Sequence, residues 1–521
     1  MNRRLALVLL LVACVALVLR WPKLNQRPMH NDEAVNAIKF GQLWEHGTYK
    51  YDPNEHHGPS LLYATWALGS LTGAPDFEHF SEARLRWVTV LFGLGLICLL
   101  PLITDGLGPP GAIWAAVFTA TSPAFVFYSR YFIHEMLLVF FTFLALGAGW
   151  RYWRTRKLGW ILLAGAAVGL MDATKETFII NLAAATIAVV LNQTWNRYID
   201  ATGPPLKAPR LELWHLAAGL GVWALVAVIL FSSFFSNPGG PLDSLRTYQA
   251  WTGRAAGDSP HIHPWQFYFH RLLWFHPAKG LFWTEALILV MAVVGCVAGF
   301  SRRRLAGANA SLVRFLALYS FILSAFYSLL PYKTPWCLLG FWHGIILLAG
   351  VGVAVVITPM RSLVQKSCLG LIFLAGSAHL AAQAWAASAT YASDPRNPYV
   401  YAQTSPDILK LVSKIEQLAA VTPEGSRMLI KVIALEQDYW PLPWYFRRFH
   451  QVGWWDQLPQ DPFAPVMVVA AQIHAGLDEK GTHLMVGYFQ LRPQVFFELY
   501  VEKNLWTAWL AKRSADASGS E

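Results

Sequence analysis

Trp336–Ile357 reads WCLLGFWHGIILLAGVGVAVVI, twenty-two residues without one Asp, Glu, Lys or Arg. At 1.5 Å per residue such a helix covers the roughly 30 Å of a bilayer's hydrocarbon core. The stretch is not isolated. Apolar runs of this kind recur at 5–20, 86–103, 111–128, 135–151, 158–172, 177–192, 213–235, 279–300, 311–331, 336–357 and 368–387, eleven expected spans in all. Composition agrees. Of 521 residues 55% are hydrophobic and 14% charged, with a mean hydropathy of +0.37, whereas soluble domains carry about 25% charged residues. An ordinary soluble enzyme and a disordered chain are both excluded. The class is a polytopic α-helical membrane protein.

The net charge of +10 comes from 41 basic and 31 acidic residues. In a membrane protein the location of such charges matters before any thought of nucleic acid, and no nucleic-acid partner is expected. With the N-terminus cytoplasmic, the inner connections hold fourteen basic residues: Arg3, Arg4, Arg151, Arg154, Arg156, Lys157, Arg197, Lys207, Arg210, Arg302, Arg303, Arg304, Arg361 and Lys366. The short outer turns hold three: Arg130, Lys175 and Lys333. That asymmetry sets the orientation. Arg3 and Arg4 precede the first apolar run as in a signal peptide, but no small-residue cleavage site follows, so the run reads as an uncleaved first helix. The five cysteines lie in or beside apolar runs and read as packing residues.

Two long segments then face outside, 21–84 and 236–278, within a transmembrane domain of residues 1–387. The tail, 388–521, changes character. Ser405–Val421 has helical amphipathic spacing, and Met428–Leu435, Val466–Ala471 and His483–Phe489 read as strands. A small extracytoplasmic α/β domain is expected there, ending in a frayed polar stretch, Arg513–Glu521.

Candidate chemistry gathers outside. His30-Asn31-Asp32-Glu33-Ala34 opens the first long loop, and the residues after it have the period of a helix lying flat in the interface. Asn31 or Asp32 caps that helix, or the adjacent carboxylates Asp32 and Glu33 serve as a base and a metal or orienting group. Glu55-His56-His57-Gly58-Pro59 follows, where one histidine suits a phosphate contact or a single metal ligand. His261 and His263 alternate in the second long loop and offer further ligands. Glu135 opens an otherwise uncharged span, as a helix cap or as a functional acid, with a divalent metal as a candidate neutraliser. Arg130, Lys175 and Lys333 place one cation on each short outer turn, against the charge bias. They snorkel or pair locally, or together they hold an anion such as a lipid phosphate. In the tail, Tyr439-Trp440-Pro441-Leu442-Pro443-Trp444-Tyr445 is aromatic enough for Tyr439, Trp440 and Trp444 to stack on sugar rings, or to seat the tail on the membrane domain.

With these motifs the chain resembles glycosyltransferases of the GT-C superfamily, which use polyprenyl-phosphate sugars. The Asp-Glu pair early in the first outer loop is that superfamily's diagnostic feature. The likeness extends to protein O-mannosyltransferases and lipid A aminoarabinose transferases. It is closer to the flippase-activity-associated proteins of archaeal-type N-glycosylation, through Lys175-Glu176-Thr177-Phe178, Tyr332–Trp336 and Asp438–Tyr445. The resemblance implies Asp32 as catalytic base, Glu33 as its neighbour and Glu135 as a second acid. It implies a lipid-linked donor, a glycan, lipid or protein acceptor, and an inner-membrane location with the site facing outward. His57-Gly58-Pro59 departs from the Lys-Pro-Pro-like motif of some relatives. Metal use varies among these enzymes and is left open by the likeness. Two rivals remain: a flippase or flippase-associated protein with no use for a base, and an ion-coupled transporter, which would bury charges near mid-membrane.

Overall fold

The computed structural model describes residues 3–54, 57–199, 212–256, 261–301 and 305–518. Glu55, His56, Lys207, Arg210 and Arg302–Arg304 lie outside the described residues.

A helix lies on each of the eleven apolar runs. Seven of them are long and apolar enough to cross a membrane, or eight if a bent pair counts as one span. Length and composition therefore do not reach eleven crossings. Leu158–Asp172 and Ala286–Ser301 are apolar but short, with 15 and 16 residues, and Arg3–Arg20 carries three arginines. The run expected at 279–300 starts late, because Phe275 and Trp283 pair as a β-bridge before the helix begins at Ala286. The molecule is an integral membrane protein by these helices.

Helices pack through small residues, as expected where lipid supplies no hydrophobic drive between them. At Gly295 and Gly352, Ala286–Ser301 and Leu339–Ile357 come so close that a Cβ on either glycine would collide with the other helix's backbone.

The bent pair is Pro109–Thr121 and Pro123–Ser129, at 59°. Pro123 has no N–H to continue the first helix, and Ser122 caps the second by accepting from Phe125 N. The buried Glu285 carboxylate holds the break open, accepting from Ser122 Oγ at 2.5 Å and Ala124 N at 2.9 Å. Its other donors are Trp342 Nε1 and Tyr399 OH. This bend delivers the Tyr128–Glu135 turn to the end of the molecule where the first loop folds.

The tail forms a small C-terminal sheet domain of five strands, β1 (Ile430–Ile433), β2 (Val452–Trp455), β3 (Val466–Ala470), β4 (His483–Arg492) and β5 (Val495–Glu502). Their order is β2-β1-β3-β5-β4, with β1 parallel to both neighbours and β5 antiparallel to β3 and β4. The expected amphipathic helix is Asp407–Ala419, which buries Ile408, Leu411, Ile415 and Leu418. Two strands, β2 and β5, lie in stretches not expected to be strands. Of the expected frayed end, Arg513–Ser518 belongs to a helix, Lys503–Ser518, with Trp509 buried, and 519–521 lie outside the described residues.

Candidate active site

The first loop's helix is Asn31–His46. Neither Asn31 nor Asp32 caps it. His30 does: its Nδ1 accepts from Asp32 N at 3.1 Å while Glu33 accepts from His30 N at 3.0 Å, a reciprocal cap. The helix's apolar face, expected toward lipid, packs within the protein, with Ala34, Ala37 and Phe40 fully buried and Phe40 against Phe77 and Phe80.

The cap points the two acids apart. Glu33 is buried and fully engaged: Arg86 reaches both its oxygens at 2.8 Å, Arg27 lies at 3.2 Å, and Phe132 N donates at 2.9 Å. Burial alone would raise its pKa, but Arg86 and Arg27 bring it down to about 2. It is an anchor that ties the loop to the Arg130–His134 turn, helped by Asn36 donating to Phe132 O. Asp32 has a side chain 51% exposed, and its carboxylate lies 3.9 Å from His30 Nδ1.

Around Asp32 stands a wall of rings. His30 lies 5.4 Å from Tyr131 and 5.7 Å from Trp336, and its Nε2 donates to Tyr401 O. The Tyr401 hydroxyl is shared by His261 Nδ1 at 2.7 Å and His263 Nε2 at 2.9 Å, donating to one ring and accepting from the other. Lys333 N donates to His261 O and its Nζ to His263 O, so the ninth-to-tenth-span turn closes this wall. Arg271 stacks on Phe267 and approaches Tyr401. Burial lowers the pKa of His30, His261 and His263, against the opposing charge of Asp32 on the first two. The folded wall thus prefers neutral imidazoles. Its contribution is complete above the ordinary histidine value of about 6.5 and is lost as pH falls below it. Activity through this site is expected to decline as pH falls below about 6.5 in a kcat/KM profile; activity that stays level throughout the acid limb would contradict the arrangement.

The other candidates separate. Glu135 is paired with Lys175, both buried. Burial alone would lower the Lys175 pKa, and Glu135 instead pushes it well up. Arg130 is spent on the carbonyls of Leu19, Arg20, Lys23 and Ser388. His57 Nδ1 donates to Glu176 Oε2 at 2.9 Å, and its ring stacks on Trp251. The three outer-turn cations do not converge on one empty point. Nor do the expected metal ligands converge: Glu135 faces Lys175, His57 faces Glu176, and His261 and His263 face Tyr401. Among the described residues no three His, Cys, Asp or Glu side chains gather as a metal site. Among the described residues, the donor set does not fit a resident metal.

Among the tail's aromatic candidates, Trp444 is fully buried and offers no ring face. It donates to Glu82 at 3.0 Å, meets Phe77, and carries Arg447 3.7 Å above it. Tyr445 OH accepts from Met29 N, next to His30. These rings seat the tail on the first loop, behind Asp32. Tyr439 and Trp440 are half-buried. Trp444→Ala is expected to cost about 3–5 kcal/mol and to speed proteolytic release of the tail, while Trp440→Ala leaves release unchanged.

Sequence reading missed Arg86, Arg27, Tyr401 and Arg271. Arg86 had a signal: a cation at the mouth of an apolar span needs a partner.

The family of dolichyl-phosphate-mannose-protein mannosyltransferases matches residues 56–211. No curated protein matches the chain by sequence. Among solved structures, ArnT from Cupriavidus metallidurans bound to undecaprenyl phosphate superposes with a TM-score of 0.60 at 15% identity, covering 94% of this chain and 97% of that one. The Archaeoglobus fulgidus oligosaccharyltransferase tethered to an acceptor peptide gives 0.54 at 15%, covering 87% and 64%. The chain therefore shares the fold of these two solved structures.

Proposed function

We propose that the protein is a membrane glycosyltransferase that moves a sugar from a polyprenyl-phosphate donor to an acceptor hydroxyl on the extracytoplasmic face. One observation carries this: of the three acids singled out in the sequence, Asp32 alone keeps an exposed carboxylate free of a cation, held at the head of a helix whose next residue is locked in place. Asp32 takes the hydroxyl proton as the acceptor oxygen attacks the anomeric carbon. The bond from that carbon to the phosphate oxygen breaks, and polyprenyl phosphate departs with the electron pair. Arg271, which approaches Tyr401, and Lys333, which donates to His263 O, are the wall's cations, and in this reading they balance that charge. The ArnT structure's bound undecaprenyl phosphate supports a lipid-linked donor, and the oligosaccharyltransferase's tethered acceptor peptide is in keeping with a protein among the acceptor kinds. The basic residues favour a cytoplasmic N-terminus, with the C-terminal domain outside.

Purified protein in proteoliposomes, supplied with lipids and envelope polymers from the cells that make it, is expected to convert one lipid-linked sugar to free polyprenyl phosphate, read by mass spectrometry. Conservation of every lipid-linked sugar, with redistribution between leaflets, would favour the flippase alternative.

A further inference from the structure

The first helix begins at Arg3, and its last residue, Arg20, donates to Ser129 and to the carbonyls of Thr119 and Ala120 on the site's side of the molecule. Its other end lies about 24 Å away at 1.5 Å per residue. There a cavity of about 590 Å³ opens between Arg4, Leu5 and Val8 of this helix, the Pro101–Pro109 connection, Ile113 and Arg151. That volume is in the range of small-molecule sites. The wall is positive. Arg4 and Arg151 line it, and Arg154 lies 3.8 Å from the one acid there, Asp105. Asp105 offers little repulsion to an anion, because Trp150 Nε1 donates to one of its oxygens at 3.0 Å and Arg151 Nη1 to the other at 3.4 Å. Arg151 is held in place through Nη2, which donates to Pro101 O at 2.6 Å.

The apolar part of the wall says what the anion is attached to. Leu5, Val8, Pro109 and Ile113 complete the lining, and the same first helix exposes Leu7, Leu10 and Leu11 at 58%, 61% and 57% one turn along. A guanidinium pair at the mouth and an exposed leucine face beside it match a phosphate with hydrocarbon beneath. Basic pockets at the positively charged ends of membrane helices hold anionic headgroups by the same physics. We infer that this cavity binds the headgroup of an anionic bilayer phospholipid, at the face opposite Asp32. The site uses no residue of the transfer chemistry and stands whether or not that reading does.

Native mass spectrometry of the full chain tests it. Protein stripped of lipid is offered phosphatidylglycerol, phosphatidylcholine or undecaprenyl phosphate at equal concentration. Phosphatidylglycerol adducts are expected to exceed phosphatidylcholine adducts at least fivefold. Arg4→Glu, a change at an exposed residue that leaves the Arg151–Pro101 contact in place, is expected to remove that preference, and Arg4→Ala/Arg151→Lys to weaken it. Lys410→Ala, in the C-terminal domain, is expected to leave it intact. Equal retention of the two phospholipids, or a preference that survives Arg4→Glu, would overturn the inference. Stronger Arg4-dependent retention of undecaprenyl phosphate than of phosphatidylglycerol would also overturn it, by assigning the cavity to the carrier lipid.

Discussion

Glu33→Gln is expected to cost about 3–5 kcal/mol of stability. The residue accepts from Arg86, Arg27, Phe132 N and His30 N inside a site with no water-facing atom. An amide of the same shape keeps the volume but leaves two buried guanidinium groups without a counter-charge. The direction of the Glu33 pKa says the same. A carboxyl lowered from 4.5 to about 2 contributes on the order of 3 kcal/mol above pH 4.5. That contribution is lost as pH falls from 4.5 toward 2. Equilibrium unfolding in mixed micelles at neutral pH and at about pH 3.5 measures both. Wild type and Glu33→Gln should differ widely at neutral pH and by less at about pH 3.5. A variant as stable as wild type at neutral pH, with transfer alone lost, would return Glu33 to the reaction.

Asp32→Asn should do the opposite. The side chain is half exposed and bears no structural ion pair, so stability is expected to move by less than about 0.5 kcal/mol. Loss of a positioned base costs about 10²–10⁴ in rate, and kcat is expected to fall by that much. The KM for the lipid-linked donor should change little, because Arg271 and Lys333 stay in place. The pairing of these two variants matters more than either alone. Neighbouring carboxylates with opposite phenotypes, one thermodynamic and one kinetic, follow directly from the cap that turns them apart.

Much of this was legible in the chain. Apolar runs with almost no charge located a helix on each of the eleven segments, because lipid-facing and lipid-buried positions both demand hydrocarbon and leave no periodicity to misread. The crossing count was not legible. Run length alone does not reveal that Pro123 breaks one segment or that a bridged pair of strands shortens another. Asp32 and Glu33 stood out as a pair, yet their division of labour depends on Arg86, fifty-three residues away, and on which of the two faces solvent. Arg130, Lys175 and Lys333 were correctly seen as costly charges in outer turns. The reason is local in each: carbonyls at the end of the first helix for Arg130, Glu135 for Lys175, and the carbonyls of His263 and Leu330 for Lys333. Tyr401 left no trace in sequence, because its role arises only where the start of the tail crosses the second loop's histidines.

The most direct test of the central claim, that this is a transferase with Asp32 as its base, is a glycan profile of the cell envelope by mass spectrometry. It compares a strain lacking the protein with the same strain carrying wild type or Asp32→Asn at matched membrane levels. One sugar is expected to vanish on deletion and to return with wild type but not with Asp32→Asn. Equal restoration by both would contradict the claim and leave the protein as an aid to lipid-linked glycan translocation.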